Sequence, residues 1–210
     1  MRCIAIANDS KEEFMTTTRK RGFDTKRLAL IALLTALVAV LAYFGGFIKI
    51  GGLASISLTL IPVVLGAALC GPIAGAWLGG VSGAVFFMTA DAVFWLELSI
   101  PGTIITVMVK GIAAGLVAGL VYVILERVNR YLAVMAAAIV CPVVNTGIFI
   151  GGSFLFFMDD VNAGAAAKNM SIGAYIIIVF VGLNFVFELL TNLVLCPAIT
   201  RVLNIEKKKK

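Results

Sequence analysis

Apolar residues run in six long blocks along this chain, and nearly all the charge falls in the gaps between them. The blocks cover approximately residues 28–44, 57–70, 72–90, 103–125, 131–158 and 171–202. A helix that crosses a bilayer needs about 20 apolar residues, because about 1.5 Å of rise per residue must cover about 30 Å of hydrocarbon. Lipid offers no partner to a backbone amide, so blocks of this length must satisfy their hydrogen bonds internally, as helices. The pattern predicts an all-α, polytopic membrane protein with six transmembrane helices. Block 57–70 is short and opens with Ser57 and Thr59, which puts its outer end at the interface. Blocks 131–158 and 171–202 exceed one bilayer thickness and predict tilt or extension beyond the membrane. On this reading residues 27–204 form one membrane domain, between a tail at 1–26 and a basic tail at 205–210.

Composition strengthens the class. Hydrophobic residues make up 61% of the chain and charged residues 13%, about half the share of a soluble domain, roughly 25%. The basic residues also set an orientation. Arg2, Lys11, Arg19, Lys20, Arg21, Lys26 and Arg27 precede the first block, Arg127 and Arg130 join the fourth and fifth, and Arg201 and Lys207 to Lys210 end the chain. Six crossings put all of them on one side, which the positive-inside rule makes the cytoplasm of a bacterial cell, with both termini inside. The net charge of +6 is then a matter of topology and anionic lipid, not of a nucleic-acid surface. Ser10-Lys11-Glu12-Glu13-Phe14-Met15 reads like a translated ribosome-binding site ahead of a start codon, so the tail either is disordered or begins in truth at Met15.

Catalytic chemistry finds no support. The chain has no histidine, which excludes a Ser-His-Asp arrangement and an H-E-x-x-H zinc site. Cys3, Cys70, Cys141 and Cys196 show no C-x-x-C spacing and suit packing. Neither a metal nor a cofactor is expected. No Gly-rich loop ending in Lys-Ser or Lys-Thr is present, so ATP-driven work would need another subunit.

Small residues recur at helical spacing in three blocks. Ala29, Ala32, Ala36 and Ala39 make one smooth stripe in the first. It suits either packing within the bundle or docking of another membrane subunit. Gly71, Gly75, Gly79 and Gly83 in the third block, and Gly111, Gly115 and Gly119 in the fourth, form grooves that predict close packing of helices within this chain.

Polar residues inside the blocks are few. Lys110 interrupts the fourth, Asn145 sits in the fifth near Pro142, and Asn184, Glu188 and Asn192 share one face of the sixth. An ionisable group in a span costs about 2.5–3.5 kcal/mol, so each should face the interior and have a partner. Lys110, ~10 Å deep by helical rise, is reachable from outside and suits an anionic ligand. Glu188 counts to ~25 Å from the outer face, so pairing with Lys110 is not expected; with Asn192 it should tie helices together. Asn145 and Asn184 either hydrogen-bond a ligand or bridge helices. Residues 91–97, with Trp95 and Glu97, read as an outer loop whose rings are interfacial anchors or ligand contacts.

Taken in order, several of these features resemble the substrate-binding S components of energy-coupling factor (ECF) vitamin transporters. The resemblance covers about residues 26–204. It rests on Ala32-x-x-x-Ala36, Ser57-Leu58-Thr59-Leu60-Ile61-Pro62 leading to Gly71-Pro72-x-x-Gly75, Lys110-Gly111 before Gly115, Pro142-Val143-Val144-Asn145-Thr146-Gly147, and Asn184-x-x-x-Glu188. It implies a six-helix S-component bundle that captures a water-soluble vitamin from outside and works with a transmembrane T component and two cytoplasmic ATPases. It implies that Ala32 and Ala36, with the rest of their stripe, pack on the T component. The loop 44–52, carrying Lys49, would cover the cavity. Lys110 and Asn145 suit the family's ligand site, whereas Glu188 suits it badly. A lysine among amides favours a carboxylate-bearing ligand such as pantothenate; ring stacking on Trp95 would favour a flavin or pterin. The competing expectation is a self-sufficient secondary transporter or channel acting as a homo-oligomer, with Glu188 coupling protons.

Overall fold

The computed structural model describes residues 25–45 and 58–208. The proposed start at Met15, the N-terminal tail, Cys3, Lys49, Ser57, most of the glycine-rich loop and the last two lysines lie outside the described residues. The described chain is helical throughout, without strands. Its helices are α1 (Thr25–Gly45), α2 (Leu60–Cys70), α3 (Pro72–Phe86), α4 (Ala90–Leu98), α5 (Ile100–Glu126), α6 (Arg130–Phe156), α7 (Met158–Ala167), α8 (Ile172–Tyr175) and α9 (Gly182–Lys208), with a π-helical turn, Ile176–Val181, between the last two.

Three of these helices, α1, α5 and α6, are each long and apolar enough to cross a membrane alone. The count reaches five if α3 with α4, and α8 with α9, each make one broken span. Block 57–70 yields only the 11-residue α2, about 16 Å of rise, too short to span by itself. The all-α membrane bundle is as expected; the crossings are less regular than six straight helices.

Helix ends follow local chemistry. Gly71 adopts φ +89°, a conformation that glycine takes without strain, and lets α2 turn directly into α3. The guanidinium of Arg27 donates to the carbonyl of Cys70 and closes that corner. The Asn129 side chain accepts from the Tyr131 amide at 2.9 Å and so caps α6. Ser99 likewise accepts from Gly102 at 3.3 Å at the start of α5.

Two expectations change at the opposite end. Residues 91–97 are not a loop but most of α4, which turns 84° from α3 and carries Trp95 into the interior. The hydroxyl of Thr103 donates to the Trp95 carbonyl at 2.6 Å and holds α4 against α5. The sixth block is not one continuous helix. It breaks at Gly182, φ +52°, after the π-helical turn, and the two parts meet at 44°.

The packing has two centres. Leu34, Val38, Val63, Leu78, Ala118 and Val134 belong to an aliphatic core shared by α1, α2, α3, α5 and α6. Trp95, Val161, Ala165, Tyr175 and Ile176 form a second, more aromatic core beneath α4 and α7, with Phe86 and Phe149 packed against it. Between α3 and α5 the glycines meet in antiparallel register. A methyl built on Gly75 would lie 2.5 Å from the Gly115 carbonyl oxygen, and one on Gly83 would lie 3.1 Å from that of Val107. Gly79 and Gly111 abut backbone to backbone, and Gly119 rests on Pro72. The glycine grooves are intramolecular packing, as their spacing predicts.

Candidate functional site

A cavity of about 60 Å³ lies where the two cores meet. Helix α1 contributes Leu41, Ala42 and Gly45; residues at and after Thr59 bring in Leu60 and Val63; α3 presents Ser82 and Phe86 beside its glycines. From α5 come Val107, Lys110 and Gly111, and from α6 Asn145. The glycine seam thus forms part of the wall, since Gly79, Gly83 and Gly111 all line the cavity.

Lys110 and Asn145, two of the residues singled out by sequence, converge on this space from different helices. The Lys110 ammonium lies 5.0 Å from the ring centroid of Phe149 and 5.9 Å from that of Phe86. Ring faces carry negative charge density, so this cradle stabilises a cation where water is scarce. Asn145 is only 7% exposed. Also at the wall, the hydroxyls of Thr59 and Ser82 lie 2.9 Å apart. Neither was anticipated as a site residue. Thr59 was read as an interface marker, and a lone Ser82 among glycines carries no spacing signal.

Glu188 departs from its expected remoteness. It is buried, and its carboxylate acts electrostatically on both Lys110 and Cys141. The depth arithmetic assumed an unbroken helix from Ser171. The break at Gly182 leaves Glu188 six residues into α9. Asn192, four residues on, donates to the Ala138 carbonyl at 3.4 Å and ties α9 to α6.

Other sequence candidates sit elsewhere. Trp95 is 4% exposed and packs edge-on against Phe94, Phe149 and Phe157, with centroids 5.3, 5.3 and 5.8 Å away. It does not line the cavity; Phe149 stands between its cluster and Lys110. Asn184 is buried on α9 and is likewise absent from the cavity wall. On α1 the inward positions are Leu34 and Val38. Ala29, Ala32 and Ala36 are exposed and Ala39 is partly buried, so the alanine stripe faces away from the bundle.

Among known proteins, a family model described as "ECF transporter, substrate-specific component" matches residues 26–200. No curated protein and no solved structure matches the chain. The matched region takes in every helix from α1 to most of α9, and with it both the cavity and the outward alanine face. This chain belongs to the substrate-specific components of ECF transporters, multi-pass membrane subunits that bind the substrate for transport.

Proposed function

We propose that the cavity captures a small carboxylate-bearing micronutrient, with pantothenate as the specific ligand, and that Lys110 pairs with its carboxylate while Asn145 hydrogen-bonds it. The convergence of Lys110 and Asn145 on one cavity carries this reading. A ligand carboxylate would complete a charge that aromatic faces and Glu188 balance only in part. Lys49 joins this site as a proposal from sequence alone. Trp95 and Asn184 act at one remove, holding the aromatic core and α9.

Orientation follows from charge. Arg27 lies at the Cys70–Pro72 corner, and Arg127 and Arg130 follow the end of α5 that Gly119 anchors beside Pro72. Placing this basic end in the cytoplasm puts Gly45 and Thr59, at the cavity edge, toward the outside. Energy then comes from partners: a transmembrane T component docks on Ala29, Ala32, Ala36 and Ala39, and two ATPases drive the cycle.

Lys110→Met in nanodiscs should weaken pantothenate binding about 10-fold or more, since a hydrogen bond to a charged group is worth about 1.5–3 kcal/mol. Calorimetry that found the affinity unchanged would return Lys110 to a structural role. Uptake by proteoliposomes should require ATP and the partner subunits. Accumulation driven by a proton gradient in vesicles holding this chain alone would end the proposal and give Glu188 a coupling role.

A further inference from the structure

We infer that the cavity has a second polar pole, the Thr59–Ser82 hydroxyl pair, and that it selects a compact aliphatic acid bearing a hydroxyl or amide over a ring-bearing vitamin. The inference rests on the anion-binding role proposed for Lys110. Four wall residues among those described carry polar side chains: Thr59 and Ser82 on the α2–α3 side, Lys110 and Asn145 on the α5–α6 side. Leu41, Val63 and Val107 supply apolar wall. The wall thus combines a charged group, apolar surface and a hydroxyl pair.

The hydroxyl pair has capacity beyond itself. Two hydroxyls own two O–H donors and four lone pairs, and their mutual contact at 2.9 Å uses one donor and one lone pair. The second donor and the remaining lone pairs can meet a ligand hydroxyl or amide. Thr59 is 3% exposed, so this chemistry is offered inside the protein rather than to solvent. A site built to hydrogen-bond a ligand group rejects an analogue that lacks it, because its own polar atoms are then left unpaired.

Ring-bearing ligands meet the opposite situation. Sandwiching a flavin or pterin takes two flat faces, and among the described residues Phe86 is the one aromatic wall. Trp95 is committed edge-on to three phenylalanines. Phe149 lies beneath the Lys110 ammonium.

The test uses the full chain in nanodiscs and calorimetry with pantothenate, its analogue lacking the hydroxyls, riboflavin and folate. Wild-type protein should bind pantothenate and prefer it to the deoxygenated analogue by about 10-fold or more. Thr59→Val should erase that preference, weakening pantothenate about 10-fold while changing the analogue less than about 2-fold, and Thr59→Ser should restore it. Equal weakening of both acids by Thr59→Val would reduce the hydroxyl pair to a helix tie and overturn the inference. Tighter binding of riboflavin or folate than of either acid, or binding of neither acid, would overturn it too. If Lys110→Met left both acids unaffected while Thr59→Val still discriminated, the hydroxyl pole would stand and the anion-binding role of Lys110 would fall. Melting curves of Thr59→Val and Thr59→Ser matching wild type would assign any change in affinity to the ligand contact.

Discussion

Two stripes of small residues, written with the same spacing, meet opposite fates in this bundle. The glycines of α3 and α5 are pressed against each other's backbone; the alanines of α1 face away from the chain. Helices in lipid gain little from burying apolar surface and associate through close van der Waals contact, so both stripes are equipped to pack. On the docking role proposed for the α1 face, what separates them is permanence. Glycine costs about 0.8–1.0 kcal/mol relative to alanine in a helix, a cost that a lasting contact offsets. A face that stands without its partner for part of a transport cycle keeps its helix better with alanine, the strongest helix former.

The largest effect should come from closing the glycine seam. Valine at Gly79 or Gly111 would drive its Cβ into the opposite backbone, where no rotamer change can relieve the overlap. Destabilisation of about 3 kcal/mol or more is expected, at the top of the overpacking range. Gel filtration should show loss of the monodisperse species, and ligand binding should go with it because both glycines line the cavity. A stable, ligand-binding Gly79→Val protein would mean that α3 and α5 do not approach this closely.

The same operation on α1 should spare the fold. Ala32→Leu with Ala36→Leu adds bulk where the chain itself places nothing, since the buried positions Leu34 and Val38 lie two residues on, about 200° around the helix. Melting temperature and pantothenate affinity should hold, while ATP-driven uptake in the assembled transporter should fall at least about 10-fold, the low end of typical hot-spot losses. Parallel loss of binding and uptake would tell against a docking face.

Much of this contrast was legible in the sequence, but not which stripe would face where. In a soluble helix the polar face marks the outside, whereas here Leu33 and Leu37 are exposed to lipid and Leu34 is buried, with no chemical difference between them. Only small and polar residues retained information, which is why the glycine seam could be anticipated and why Lys110 and Asn145, both at the cavity wall, were singled out. Helix breaks were the main loss. Nothing in the apolar run 171–202 distinguishes Gly182 from the packed glycines, yet its φ of +52° breaks the helix six residues before Glu188, so a depth counted along one straight helix does not hold. Residues 91–97 misled for a related reason, since a short apolar stretch flanked by Asp91 and Glu97 after a span reads equally as loop or as a helix laid across the bundle end.

A third pair of small residues offers the finest discrimination. Gly147 and Gly151 on α6 keep the four-residue spacing of the seam, yet a methyl on either would meet nothing within 4 Å. They share the glycine chemistry of α3 and α5 and the open surroundings of the α1 alanines. If contact, not residue type, decides what a small-residue face does, Gly147→Ala and Gly151→Ala should leave binding and uptake unchanged. Each should raise stability slightly, by up to about 0.8–1.0 kcal/mol if helix propensity carries over into lipid. Melting curves in one detergent, with uptake measured alongside, would check both halves. A drop in uptake without a drop in melting temperature would place a second docking face on α6, and the alanine stripe would no longer account for partner contact alone.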